Sequence, residues 1–289
     1  MHIAVLGIGL LGQAVAERLN ATGHTVTAYN RTRAKTEPLK ALGVQVSASA
    51  SQAIGGADCT LLFLSDAEAI RSVVFNPETR ASLKGQTIIQ MGTIGPQESR
   101  EFRQAVMESG GDYFEAPVLG SLAEAKAGTL LVMVGGTQGQ LQRWEPVFRS
   151  LSRGPRLVGP VGQAASLKLA LNQLIAAEII GFSLSLGLVQ RAGISVDLFM
   201  SVLKDSALFA PAFEKKLPRL QQRQYDHPNF PTSHLLKDVE LFRAAAREYG
   251  LVTRALDGTC DSLKGAMAKG LGPVDYSAVY EEIDPQPSA

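Results

Sequence analysis

The chain has 289 residues, 45% of them hydrophobic and 19% charged, with a formal net charge of +1. That length suits two domains of ordinary size, or one large one, with enough apolar material for a substantial core. So balanced a charge gives no global field for nucleic acid or an anionic membrane, which leaves small molecules and further copies of the chain as the expected partners.

Met1-His2-Ile3-Ala4-Val5-Leu6 runs directly into a glycine turn, without the basic region, apolar stretch and cleavage site of a secretory signal, and reads as a strand. To about residue 158, short β-branched runs alternate with helical patterns, which predicts a doubly wound parallel sheet covered by helices. The predicted strands cover 3–6, 25–29, 44–46, 60–64, 87–90, 112–115 and 129–134. A helix over 11–22 is stopped by Gly23. After Gly159-Pro160-Val161-Gly162 the strand signal ends, which divides a Rossmann-type domain (1–160) from an all-helical domain (161–289). The fold class is therefore an α/β N-terminal domain plus an all-α C-terminal domain, joined by a long central helix.

That helix starts near Gln163 and is apolar all round, as expected in the middle of a molecule or at an oligomer interface. Lys168, Asn172, Gln173 and Glu178 interrupt its apolar run, and each is costly in hydrocarbon, so it reads as a buried helix and not a membrane span. Small residues Gly181, Ser183, Ser185 and Gly187 along it suggest burial in a homodimer or homotetramer. Residues 210–231 hold four prolines and read as loop with one short helix, and the tail from Asp284 is expected to fray. Cys59 and Cys260 form no metal or redox motif and fit inert thiols in a reducing compartment, so a cytoplasmic location is expected.

Gly7-Ile8-Gly9-Leu10-Leu11-Gly12 follows a strand and opens a helix at the start of the β/α series, the context in which this pattern holds a dinucleotide. Gly7 permits the tight turn, Gly9 lets the backbone approach a pyrophosphate, and Gly12 lets the helix pack closely. At the end of the second predicted strand an acid would favour a free ribose 2′-hydroxyl. The chain has Asn30-Arg31-Thr32-Arg33 instead, with Lys35 beyond, donors suited to the 2′-phosphate of NADP(H) in preference to NAD(H). The same residues could also form a solvated basic turn with Thr32 capping the next helix.

Lys168 and Asn172 stand four apart and so share one helix face. A desolvated lysine has a depressed pKa, which suits proton exchange with a carbonyl or hydroxyl oxygen, and Asn172 could hold it in register. On composition alone a snorkelling lysine beside a surface asparagine is the commoner arrangement.

These motifs, with Gly23-His24, Gln90-Met91-Gly92-Thr93-Ile94, the Glu115-to-Ser121 run Glu-Ala-Pro-Val-Leu-Gly-Ser with Ala125 and Gly128-Thr129-Leu130, Gly162 through Lys168 to Asn172, Phe230-Pro231 leading to Lys237-Asp238, and Asp275-Tyr276-Ser277-Ala278-Val279, stand in an order that resembles the β-hydroxyacid dehydrogenase family, which includes 3-hydroxyisobutyrate dehydrogenases and glyoxylate or semialdehyde reductases. The resemblance implies an NADPH-dependent oxidoreductase that interconverts a small aldehyde or keto acid and its hydroxy acid. It implies Lys168 and Asn172 as catalytic residues and Leu119, Gly120 and Ser121 as the substrate loop. Leu10, Leu11, Leu64, Thr93 and Lys237 would join the glycines and the turn at residues 30–33 around the cofactor.

Two positions depart from the family pattern. Leu119 stands where the family usually has a serine that helps bind a carboxylate, and Ser65 where it often has proline. The loop's N–H groups and Ser121 could still meet an anion, but one donor is replaced by an apolar group, which suits a less polar substrate. Leu119 thus keeps an imine reductase reading open as the alternative, although such enzymes commonly have an acid or tyrosine at the position of Lys168. A module that binds NADPH without turnover is a second alternative, which the presence of Lys168 and Asn172 opposes. The four histidines have no ligand spacing for a metal, no Ser-His-Asp arrangement can be read, and basic residues do not interleave with aromatics as nucleic-acid binding needs.

Overall fold

A computed structural model describes residues 1–286, which form two compact units divided between Lys168 and Leu169. In the first unit nine strands form one sheet: β1 (His2–Leu6), β2 (Thr25–Tyr29), β3 (Gln45–Val46), β4 (Cys59–Leu62), β5 (Thr87–Gln90), β6 (Asp112–Glu115), β7 (Val118–Leu119), β8 (Leu131–Gly135) and β9 (Arg156–Gly159). Their order is β3-β2-β1-β4-β5-β6-β8-β7, with β9 paired to β8. The first six pair in parallel and give the 3-2-1-4-5-6 order of a Rossmann fold. Beyond β6 the sheet is mixed, because β8 runs antiparallel to β6 and β7.

Both sheet faces are covered, so β1 is apolar at every position after His2. Ile3 and Val5 pack with Val15, Leu19 and Phe148 on one face, while Ala4 and Leu6 pack with Ile54, Ile70 and Phe102 on the other. The first helix, Leu10–Ala21, ends before Gly23, whose φ of +88° suits glycine. The predicted strands 25–29, 87–90 and 112–115 match the structure residue for residue.

The division between the two compact units falls inside the long helix Gln163–Arg191, between Lys168 and Leu169. By length and composition this helix could cross a membrane. In the second unit it supplies Ala176, Ile179, Phe182 and Leu186 to a separate core, where Phe182 stacks on Phe199 and Phe213 at 6.1 and 4.7 Å between ring centroids. A buried ion pair ties the helix Pro211–Gln222 to the last segment: Lys216 Nζ lies 2.7 Å from Asp275 Oδ1 and 4.2 Å above the Tyr276 ring. Removing one partner of such a pair costs about 3–5 kcal/mol, because the other charge is left buried and uncompensated.

Two expectations need correction. The region 210–231 holds a twelve-residue helix that begins at Pro211, where no backbone donor is lost, and carries Pro218 inside it. The chain is also anchored at Asp284, which is buried, accepts from Tyr280 Oη at 2.8 Å and pairs with Arg191 and Arg223. Residues 285–286 beyond it are exposed and in no helix or strand, and 287–289 lie outside the described residues.

Candidate functional site

In the first unit the carboxyl ends of β1 and β4 adjoin at the point where strand order reverses, the usual place for a ligand in such sheets. Gly7 has φ +99°, and a β-carbon there would stand 2.5 Å from Phe63 O; one on Gly12 would overlap Gly7 O. These two glycines are demanded by the protein itself. Gly9 is different: a β-carbon on it would meet nothing within 4 Å, and the helix that follows has no side-chain cap. Open space before uncapped helix N–H groups is what a pyrophosphate needs, so the turn fits a dinucleotide. Leu10 is exposed beside this space and Leu11 half-buried.

At the end of β2, Asn30 Oδ1 accepts from Ile8 N at 3.0 Å while its Nδ2 donates to Thr32 O at 3.0 Å. Asn30 therefore spends its amide on shaping the turn. Thr32 precedes a short helix but makes no side-chain cap, so its hydroxyl is not committed to capping. Arg31 and Lys35 are exposed, and Arg33 reaches Glu37 only at 3.6 Å with 73% of its side chain exposed. A contact so exposed holds an arginine weakly.

After β5 the turn Met91-Gly92-Thr93 is pressed against the end of β4: Met91 N and Gly92 N both donate to Leu62 O at 3.0 Å, and Gly92 lies against the Leu64 carbonyl. Thr93 and Leu64 are both half-buried there. The loop expected to meet the substrate follows β6. Leu119 pairs directly with Leu131 across β7 and β8, so two leucines, one half-buried and one exposed, stand side by side on one face. Gly120 is exposed. Ser121 N donates to Glu124 Oε2 at 2.7 Å, and the Ser121 hydroxyl donates to the same oxygen. This cap engages both Ser121 donors with the helix that follows.

Lys168 is 9% exposed. One turn later Asn172 is buried; its Nδ2 donates to Asp238 Oδ2 at 2.6 Å, and its Oδ1 receives no hydrogen bond. Asp238, 2% exposed on the helix Thr232–Glu248, also holds Lys237 Nζ at 3.0 Å. The second unit thus brings Asn172 and Lys237 together on one carboxylate. The residue reading gave Asp238 no role, although an acid within the apolar run Leu235-Leu236 to Val239 was a visible signal. Buried Glu115, which accepts from Gly162 N and Ala165 N, 47 and 50 residues away, had no such signal.

Residues 2–162 match the model of the NAD-binding domain of 6-phosphogluconate dehydrogenase, and residues 162–283 that of the NAD-binding domain of NADP-dependent 3-hydroxyisobutyrate dehydrogenase. The chain is 31% identical over 285 residues to glyoxylate/succinic semialdehyde reductase 1 of Arabidopsis thaliana, covering 98% of each. It is 30% identical to 2-hydroxy-3-oxopropionate reductase of Escherichia coli, covering 98% of this chain and 97% of that one. Among solved structures, 3-hydroxyisobutyrate dehydrogenase of Mycobacterium tuberculosis with L-serine superposes with a TM-score of 0.86 at 24% identity, covering 97% and 98% of the two chains.

Proposed function

The chain belongs to the β-hydroxyacid dehydrogenase family, and from that we propose that it is an NADPH-dependent reductase of short aldehydes or keto acids in which Lys168 gives the proton. Within that family it is an NAD(P)-dependent oxidoreductase of hydroxy acids in the general sense.

The observation that carries the reading is a lysine only 9% exposed, one turn before a buried asparagine on the same helix. The bound nicotinamide would supply hydride to the carbonyl carbon. The oxygen then needs one proton, and the Lys168 ammonium gives it, so that aldehyde, hydride and proton balance to alcohol. Asn172 has an acceptor, Oδ1, with no hydrogen-bond donor on it, suited to a lysine or hydroxyl proton, while Asp238 fixes the other end of its amide. Exposed Arg31 and Arg33 support NADPH by offering cations to a 2′-phosphate.

The relatives' names suggest glyoxylate, succinic semialdehyde and 2-hydroxy-3-oxopropionate as first substrates to try. Leu119 favours one further reading, reduction of a C=N bond in a neutral imine, because no serine stands there to hold a carboxylate. Self-association belongs to the proposal as well: Leu184 and Leu188 on the long helix, and Leu198 and Val202 on the helix Val196–Lys204, are 58–71% exposed in pairs four residues apart. Apolar rows of this kind suit a second copy of the chain.

The test is steady-state oxidation of NADPH and NADH against those carbonyl compounds and simple cyclic imines, with Lys168→Ala as control. Turnover of a carbonyl acid that Lys168→Ala abolishes, with NADPH binding retained, is the expected result. Turnover of imines alone moves the assignment to C=N, and NADPH binding with no turnover moves it to a binding role.

A further inference from the structure

Glu115 ends β6, immediately before the substrate loop, and is 1% exposed. Its Oε1 accepts from Gly162 N at 2.8 Å and Ala165 N at 3.0 Å, donors at the start of the Lys168 helix that have no partners within that helix. Its Oε2 accepts from the Ser99 hydroxyl, which lies 3.0 Å from Tyr113 Oη. Ser99 stands in the first turn of the helix Pro96–Glu108, just beyond the turn that carries Thr93.

One carboxylate therefore joins three segments of the first unit: the approach to the substrate loop, the helix after the Thr93 turn, and the first turn of the Lys168 helix. No room is left around it. Gly135 stands opposite Glu115 in the antiparallel register, and a β-carbon there would collide with Oε1. Burial pushes the Glu115 carboxyl above the usual carboxylate range, and the hydrogen bonds from Ser99 and the helix backbone work against that rise. Leucine or methionine would fill such a place without that penalty but could not bind two helix N–H groups and a hydroxyl at once.

Ala165 precedes Lys168 by three residues and so lies on the same side of the helix. We propose that Glu115 is a positioning residue: its carboxylate clamps the first turn of the Lys168 helix to the segment after Thr93 and so sets the lysine side chain at the depth from which it reaches the reacting oxygen. The proposal rests on the assignment of Lys168 as proton donor.

The test uses the full chain with Glu115→Ala, Glu115→Asp and Glu115→Gln beside Lys168→Ala. Four quantities are measured: kcat, KM for the carbonyl substrate, the Kd for NADPH by fluorescence, and amide hydrogen exchange over residues 162–168. Glutamine can still accept from both N–H groups and donate to Ser99, so Glu115→Gln is expected to keep kcat within about threefold of the parent. Alanine lacks the carboxylate, and aspartate is one methylene too short to reach. Both are expected to lower kcat by about 10–100-fold, as misplacement by about 1 Å does, with NADPH Kd within about twofold and faster exchange over 162–168.

If alanine does not fold, the aspartate variant decides. Unchanged kcat and unchanged exchange in the aspartate variant overturn the proposal, and so does a kcat loss matched by an equal loss of NADPH affinity, which would make Glu115 a support of the fold alone. Should Lys168→Ala retain full turnover, the lysine assignment fails instead, and the exchange data still judge the clamp.

Discussion

Asn172 Nδ2 donates to Asp238 Oδ2 across 2.6 Å, while Asp238 Oδ1 holds Lys237 Nζ at 3.0 Å. Asparagine cannot orient its own amide, because both ends are similar in shape; a carboxylate on one side decides which end turns away. Here the carbonyl end, Asn172 Oδ1, is the one without a hydrogen bond.

Replacing Asp238 by alanine removes that orientation and leaves Lys237 without this counter-ion. Activity is expected to fall at least tenfold and stability by about 1–3 kcal/mol, the cost of leaving the buried Asn172 amide N–H without its acceptor. Urea denaturation and steady-state kinetics on the same preparation check both. A variant with unchanged kcat would show that Asn172 needs no such holder.

Arg31 and Arg33 are exposed, and their only ionic contact among the described residues is the 3.6 Å approach of Arg33 to Glu37. Little therefore has to be broken for them to turn to a phosphate. The double replacement by alanine is expected to raise KM for NADPH by tenfold or more and leave KM for NADH within about twofold, since charge-assisted phosphate contacts contribute about 1.5–3 kcal/mol. Equal losses for both cofactors would remove the 2′-phosphate assignment.

Leu119 pairs with Leu131, and the family resemblance implies a carboxylate-binding serine at its position. The loop's own serine, Ser121, donates its hydroxyl to Glu124. Leu119→Ser is expected to raise kcat/KM for glyoxylate or succinic semialdehyde by about tenfold, the worth of one hydrogen bond to a charged group. It should lower kcat/KM for substrates with an apolar substituent. Identical profiles for parent and variant would free Leu119 of any part in specificity.

His24 follows Gly23 at the entry to β2, with Nε2 3.0 Å from Ser150 Oγ. Desolvation, with the positive chain terminus as a smaller cause, holds its pKa below 6.5 in the folded state. The unfolded chain therefore binds the proton more readily. This contribution to stability is whole above pH 6.5 and is lost as pH falls through the lower folded value. Melting temperatures between pH 7.5 and 5.0 should fall less steeply in His24→Asn than in the parent, and parallel curves would count against the assignment.

Where local rules decide, the chain was legible. The glycine turn, the matched strands and the start of the long helix at Gln163 follow from period, breaker and position. The two-residue β7 was not legible, because Val118-Leu119 is too short to show a period; nor was β9, whose Arg156 and Leu157 are exposed. The clamp at Glu115 and the link from Asn172 to Asp238 span 47 to 66 residues, and no local pattern encodes which donor a buried acid will meet. Helix geometry puts Lys168 and Asn172 one turn apart, but a role in catalysis was implied only by the family resemblance, since position alone favoured a snorkelling lysine.

The exposed rows of the second unit carry the last prediction. Leu188 is 71% exposed and Leu184 58%, on the helix that also supplies Phe182 and Leu186 to the core. That helix has therefore too many apolar faces for one unit to cover. Each leucine removed from water contributes about 1.5–3 kcal/mol, so four such side chains on each of two copies contribute several kcal/mol toward association. Light scattering after size exclusion is expected to give a dimer or tetramer, and Leu188→Lys with Leu198→Glu to give a monomer with an undiminished melting cooperativity. A parent chain that elutes as a monomer at micromolar concentration would leave these rows to a different partner.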